Sequence, residues 1–359
     1  MEIAVDAMGG DFAPRSVVEG ALQAAADGAR IILVGDRERI ESELARRPRG
    51  RPSEAGASGS DPRLRITIEH AGEVVSMEEP AVAVRNKRDA SVRVCARLVR
   101  EDRAQAVVTA GHTGAAMIAA KTVIGTIPGV DRPALAAVFP NRRGRTVVLD
   151  VGANVSAKAA HLRQFAVMGH FYAQDIVGSE APRVGLMSVG EEEGKGTKFT
   201  REVFRVLQKT GLNFVGNVEG RDLFDGTADV IVCDGFVGNV VLKSSEALAG
   251  YIGSLVRQAM RRTWQSRLGY LLARRAFQEL RQRTDWSETG AVPLLGVKGG
   301  FFIGHGRSTA RAIRNAVRSA VEFCDADLHN KIREKVAELH AQEERLLGSG
   351  LAGQGSAAV

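Results

Sequence analysis

One arrangement recurs along the chain: a short continuous apolar run, then a glycine-rich polar loop, then a stretch whose apolar residues return every three or four positions. Short apolar runs bounded by turn residues predict buried strands, and the three-to-four spacing predicts amphipathic helices. The first such unit runs from residues 3–6 into a loop holding Met8, Gly9, Gly10 and Asp11, with Pro14 placed for the first turn of a helix that ends near Ala26. Residues 106–109 lead into Gly111, His112, Thr113 and Gly114, and residues 146–149 lead into DVGAN at 150–154. Residues 184–187 lead into GEEEGKGT at 190–197, where Thr197 or Thr200 suits a helix cap. Residues 230–233 lead into DGFVGN at 234–239, and residues 300–303 into GHGRST at 304–309.

Six strand-loop-helix units predict a three-layer α/β/α fold around a mostly parallel sheet, with the loops that follow the strands collected along one edge. A ligand is expected at that edge. Helix N-termini there present free N–H groups and a partial positive charge, which suits an anion such as phosphate. Glycine also permits tight turns in any α/β protein. The recurrence of polar side chains in these loops is what favours a binding edge.

Length and composition set limits on this picture. A chain of 359 residues, 44% hydrophobic and 25% charged, is long enough for one large α/β domain or two intertwined lobes. The expected organisation is a single catalytic domain of two intertwined lobes over 1–345, with 251–283 projecting from it and 346–359 a flexible tail. Residues 46–63, rich in Pro, Gly, Ser and Arg, read as a surface loop before a strand at 64–68, and residues 331–347 as a terminal helix. Cys95, Cys233 and Cys324 are too scattered for a disulfide framework or a zinc site with paired thiolates, which fits a reducing cytoplasm. No apolar run reaches the roughly 18 residues of a membrane span, and Glu2 and Asp6 argue against a signal peptide.

The net charge of +7 is local: residues 251–283 hold eight arginines against Glu279 alone. Tyr251, Trp264, Tyr270 and Phe277 in that stretch are spaced for a helix face rather than a base-stacking platform, so nucleic acid is not the expected partner. Apolar residues at helical spacing among arginines instead predict an amphipathic element. Through Arg261, Arg262, Trp264, Arg267 and Leu268 it would meet an anionic membrane surface or an acidic carrier protein, or else pack in a dimer interface.

Most familiar site motifs are missing. There is no G-x-G-x-x-G, P-loop, G-x-S-x-G elbow or H-E-x-x-H helix, and Glu191, Glu192 and Glu193 are consecutive and do not converge on one ion. His70 and His112 have no companion at metal-ligand spacing, so neither a metal nor a bound cofactor is expected. What remains is a set of anion-holding loops with Lys195, Asn239 and His305, which suits a reaction whose nucleophile is itself a bound oxyanion. Lys195 can neutralise phosphate or a developing oxyanion. Asn239 can donate to a carbonyl oxygen or cap a helix. His305 can shuttle a proton or contact phosphate. Asp234 would orient Lys243 or Asn239, or satisfy backbone N–H groups.

These loops carry a resemblance over nearly the whole chain. Residues 4–11 (AVDAMGGD), 150–155 (DVGANV), 190–196 (GEEEGKG), 213–222 (NFVGNVEGRD), 233–243 (CDGFVGNVVLK) and His305-Gly306 resemble the phosphate acyltransferases of bacterial phospholipid synthesis. The resemblance implies a fold like that of the isocitrate/isopropylmalate dehydrogenases and phosphotransacetylases, a homodimer, and transfer of a fatty acyl group from acyl-carrier protein to inorganic phosphate. It implies catalysis by Lys195 and Asn239, and delivery of the acyl-phosphate to a membrane-bound glycerol-3-phosphate acyltransferase. With it, Gly9, Gly10, Asp11, Gly111, His112, Thr113, Asn154, Asp234 and Lys243 become the expected phosphate and substrate contacts, on a cytoplasmic enzyme that visits the membrane periphery. His112 stands where that family usually has asparagine. The rival reading is a nucleotide-dependent dehydrogenase of the same fold class.

Overall fold

The computed structural model describes residues 1–46, 61–277 and 290–352. The surface loop expected at 46–63 and the Arg281 and Arg283 end of the basic segment fall largely outside them. Eleven strands form one sheet: β1 (Glu2–Asp6), β2 (Arg30–Gly35), β3 (Ile66–His70), β4 (Ala106–Thr109), β5 (Ala134–Asn141), β6 (Gly144–Leu149), β7 (Val184–Met187), β8 (Phe214–Val218), β9 (Val230–Val232), β10 (Ala291–Leu295) and β11 (Gly300–Gly304). Their spatial order is β3-β2-β1-β4-β11-β10-β5-β6-β9-β7-β8.

Side chains alternate across this sheet, so each face builds its own core. Ile3 and Val5 of β1 pack with α1 (Arg15–Ala26) on one face, while Ala4 between them packs on the other. The first face is covered by α1, α2 (Arg37–Ala45), α5 (Ala159–Tyr172), α6 (Lys198–Leu207), α10 (Ala310–Asp325) and α11 (Leu328–Ala352). The second is covered by α3 (Ser91–Arg100), α4 (Thr113–Ala119) and the short α7 (Asp222–Asp225). Partly buried Val237, Val241 and Leu242 at the start of α8 (Gly235–Arg262) pack there too, and α9 (Trp264–Leu272) follows α8. The three-layer α/β/α class is therefore realised.

The single-edge expectation is not. β3, β2, β1, β4 and β11 are mutually parallel, and so are β6, β9, β7 and β8. Between these blocks β11–β10, β10–β5 and β5–β6 are all antiparallel. Three reversals leave the blocks running in opposite directions, so their following loops leave opposite rims of the strand ladder. The loops at 7–14, 110–112 and 305–309 share one rim; those at 150–158, 188–197 and 233–234 share the other. Neither β5 nor β10 belongs to the repeating pattern, which is why the reversal escapes it.

Three expected boundaries also move, the first being the strand expected at 64–68, which is Ile66–His70 and follows a 3-10 turn at Pro62–Arg65. The terminal helix does not stop at 347 but continues through Gly348 and Gly350 to Ala352, carried by strong helix formers such as Leu346, Leu347 and Ala352. Among the described residues the basic segment is not one continuous helix, because Thr263 leaves the helical region (φ −126°, ψ 163°) and its side chain accepts from Ser266 N, starting α9.

Candidate functional site

On the first rim, β1, β4 and β11 end side by side. Asp6, buried at the end of β1, accepts from Thr109 Oγ1 at 2.7 Å and from Met8 N at 3.2 Å, and Thr109 Oγ1 in turn accepts from Gly111 N at 3.1 Å. Burial raises the Asp6 carboxyl above its usual range against these bonds and one from Ser91. A Cβ at Gly9 would meet Asp6 Oδ2 at 2.7 Å and Gly111 N at 2.8 Å, so the two glycine loops touch through backbone alone. Gly10 has φ +103°, and Asp11 N donates to Gly306 O at 2.7 Å, which ties in the His305 loop. Gly9, Gly10, Asp11, Gly111, His112 and His305 are thus brought together, with Thr113 exposed beside them.

His112 proves to be a helix cap. Its Nδ1 accepts from Gly114 N at 3.1 Å and Ala115 N at 3.4 Å, the bonds that an asparagine side chain makes at the same place. His305 Nδ1 accepts from Arg307 N at 3.2 Å in the loop that leads to α10.

On the second rim the organising residue is Asp150, which sequence reasoning did not single out. It is 0% exposed. Oδ1 accepts from Leu135 N (3.0 Å), Gly152 N (3.2 Å) and Ala153 N (3.0 Å), and Oδ2 from Asn154 N (2.6 Å) and Asn154 Nδ2 (2.9 Å). Burial pushes its carboxyl above the usual range while these donors pull it down. The DVGAN loop is therefore wound around one carboxylate. Asn154 Nδ2 also donates to Pro133 O at 2.8 Å, so Asn154 is a buried strut.

The start of α8 is pressed onto this loop. Gly235 N donates to Asn154 O at 2.9 Å, and a Cβ built at Gly238 would fall inside the Asp150 carbonyl. Asp234 is the cap, accepting from Phe236 N at 2.9 Å and Val237 N at 3.0 Å; it does not orient Lys243, which pairs with Glu246 at 2.9 Å. Asn239 lies in the second turn and is not a cap; its Oδ1 would stand 3.5 Å from a Cβ on Gly152, so it packs against the DVGAN loop.

β7 neighbours β9, which brings the Lys195 loop to the same rim. Lys195 N donates to Glu192 O at 3.0 Å, and buried Asn217 at the end of β8 holds the same carbonyl through Nδ2 at 2.9 Å. Asn217 Oδ1 and Ser188 Oγ, buried beneath this loop, have no hydrogen-bond partner among the described residues. Both were missed by the sequence reading; an asparagine in a short strand carries no distinctive signal. Thr197 caps α6 and exchanges bonds with Thr200, as the spacing predicted. Buried Cys95 and Cys233 have thiols that burial pushes well up, so neither is a ready thiolate nucleophile. No group of three or more His, Cys, Asp or Glu able to hold a metal is found among the described residues.

Comparison with known proteins places this geometry. A family model described as fatty acid synthesis protein matches residues 1–331. The phosphate acyltransferase of Pelotomaculum thermopropionicum is 49% identical over 344 residues, 95% of this chain and 97% of that protein. That of Geotalea uraniireducens is 47% identical over 352 residues, 97% and 98% of the two chains. Among solved structures, a phosphotransacetylase from Streptococcus pyogenes matches with TM-score 0.58 at 18% identity over 90% of this chain and 94% of that one. A 4-hydroxythreonine-4-phosphate dehydrogenase from Klebsiella pneumoniae matches with TM-score 0.54 at 14% identity, over 91% and 98%. Those two share the fold, and a fold shared by a transferase and a dehydrogenase does not choose between them. The near-half identity over nearly full length does: this chain is an enzyme of the phosphate acyltransferase family.

Proposed function

We propose that the enzyme moves a long-chain fatty acyl group from acyl-carrier protein to inorganic phosphate, releasing acyl-phosphate for phosphatidic acid synthesis. The observation that carries the site assignment is the convergence of Asn239, the Asp150-centred loop and the Lys195 loop on one rim. In this reading a phosphate oxygen attacks the thioester carbonyl, the C–O bond forms, the C–S bond breaks, and the phosphate proton passes to the departing thiolate. Thiols with pKa of about 8.5 leave readily, so little acid help is needed. Lys195 and Asn239 stabilise the oxyanion of the tetrahedral intermediate. Gly9, Gly10, Asp11, Gly111 and Thr113 hold phosphate with His305.

The reaction needs both rims to face one cleft. In this reading a twist of about 20–25° per strand, accumulated over the ladder from β1 to β9, would turn the oppositely directed blocks toward a common side.

The reading includes a homodimer, and a transient stop at the anionic membrane where a glycerol-3-phosphate acyltransferase consumes the product. Exposed Trp264, Leu268 and Leu272 beside Arg261, Arg262 and Arg267 support that stop. No helix among the described residues is long and apolar enough to cross a membrane.

The deciding assay is phosphate-dependent release of free thiol from an acyl-carrier protein. Lys195→Ala and Asn239→Ala should each slow it on the order of 10²-fold or more. His305→Ala should chiefly raise the phosphate KM. Wild-type turnover in both of the first two variants, with the fold intact, sinks the assignment of those roles.

A further inference from the structure

We propose that the cations Lys121, Arg132, Lys158 and Lys298 form a docking rim for an acidic protein that presents the acyl thioester; this rests on the carrier-dependent reaction proposed above. The four come from four separate places in the chain. Lys121 lies in the widened π-helical turn after α4, Arg132 in the loop before β5, Lys158 at the N-cap of α5, and Lys298 between β10 and β11.

The sheet sets them in one row. Leu295 at the end of β10 pairs with Ala134 at the start of β5, and Ala136 pairs with Leu149 at the end of β6. The loops holding Lys298, Arg132 and Lys158 therefore follow one another along the second rim. Hydrogen bonds tie the row together. Lys298 N donates to Gly125 O at 3.0 Å, and Lys121 Nζ reaches Asp131 O at 3.5 Å. Gln164 of α5 accepts from Asp131 N at 3.0 Å and donates to Asp131 Oδ2 at 3.1 Å. One turn earlier, His161 Nδ1 accepts from Lys158 N at 3.1 Å.

Among the described residues the cations of this row lack the ion pairs that hold many others in the fold, as do Arg261, Arg262 and Arg267 of the basic helices. Arg103 with Glu69, Arg183 with Asp229, Arg221 with Glu191, Arg314 with Asp27 and Lys331 with Asp175 are all ion-paired. Lys121, Arg132, Lys158 and Lys298 make no ion pair among the described residues. Asp131 sits among them; Gln164 hydrogen-bonds one of its carboxylate oxygens and leaves its charge in place, so four cations face one anion along the row. The imidazole of His161 registers the local field: burial, then Arg132, Lys158 and Lys121, hold it below the usual histidine range, and only Asp131 opposes them.

The row runs into the candidate site. Asn154 is bonded to Pro133 O, next to Arg132, and lies four residues before Lys158. A small anion is held by donors converging on a point, whereas these cations are strung along a rim. A membrane surface calls for apolar side chains interleaved with the basic ones, as on α8 and α9, and here Val155 is the one large apolar side chain exposed in the loop. An extended acidic protein face fits the row, and cations at such a rim act mainly by steering encounter.

The test joins Lys121→Glu, Lys158→Glu and Lys298→Glu in one variant. It is assayed with one acyl chain on two donors, acyl-carrier protein and the uncharged thiol pantetheine. The expected result is at least a roughly tenfold loss of kcat/KM with the carrier at low salt, a gap that closes as salt rises, and less than about a twofold change with pantetheine. Retained pantetheine activity also reports an intact fold. An unchanged carrier KM while the wild type turns the carrier substrate over overturns the docking rim alone. Equal losses on both donors, or lost liposome binding with carrier kinetics unchanged, likewise overturn it. A wild type that cannot use the carrier substrate overturns the reaction as well.

Discussion

At Gly238 there is no room for a methyl group, because its Cα lies against the Asp150 carbonyl. Gly238→Ala must push the first turn of α8 off the DVGAN loop, and with it Asn239; overpacking of this kind costs about 1–3 kcal/mol or more. We expect a lower melting temperature together with a fall in kcat per folded molecule, read by thermal melts and initial rates on one preparation. Asp150→Asn tests the same seat electrostatically. All five of its hydrogen bonds come from N–H donors, so an amide nitrogen at either position faces a donor and about 1–3 kcal/mol is lost. His112 makes the contrasting case. Because it caps α4 through Nδ1, His112→Asn should keep near-wild-type turnover and stability, while His112→Ala should cost about 1 kcal/mol of stability. At this scale the candidate site was half legible. Lys195 and Asn239 stand out by their glycine surroundings, whereas Asp150, Asn217 and Asp6 act from beneath the loops, and burial leaves no mark on an isolated letter of the sequence.

Among the elements, α8 and α9 are the least covered. Tyr251, Ile252 and Leu255 are about half exposed, Trp264 is 71% exposed and Leu272 80%. Single exposed apolar residues need no explanation, but a contiguous set among arginines does. Replacing Arg261, Arg262 and Arg267 with glutamate should abolish co-sedimentation with anionic liposomes and leave turnover of a pantetheine donor intact, each basic residue near the surface contributing around 1 kcal/mol. Dissociation into monomers instead would assign the patch to a dimer interface. The apolar spacing made this helix legible, yet the break at Thr263 was not, since threonine there is chosen by its bond to Ser266 N and not by a change of pattern. Strands β5 and β10 were missed for a different reason. The run ALAAVFPN at 134–141 is alanine-rich and reads equally well as helix, and β10 contains Pro293. Those two strands supply the antiparallel joints, so the number of layers could be read and the direction of half the sheet could not.

For the molecule as a whole, acid sensitivity follows from buried His161 and half-buried His170 and His329. Burial holds His161, His170 and His329 below the ordinary value of 6.5, and His170 Nδ1 is buried without a hydrogen-bond partner among the described residues. The unfolded chain takes up these protons first, so their stabilisation is present above about pH 6.5 and is lost as pH falls through the lower folded values. The melting temperature should drop over that window, and His329→Gln should flatten the drop; an equally steep profile in the variant rules His329 out. The same global view gives the order of strands a further meaning. The second block, β6 to β9, is continuous in sequence, but β4 at 106–109 waits for β11 at 300–304 to become its neighbour. On the ribosome, with chain growth of about 5–20 residues per second, the β1–β4 half then spends on the order of ten seconds or more with a bare strand edge. An unpaired edge is a template for unwanted pairing. Ribosomes that stall between β4 and β11 should therefore release nascent chains that depend on chaperones, whereas the full-length chain, with β11 paired and α10 and α11 in place, should not.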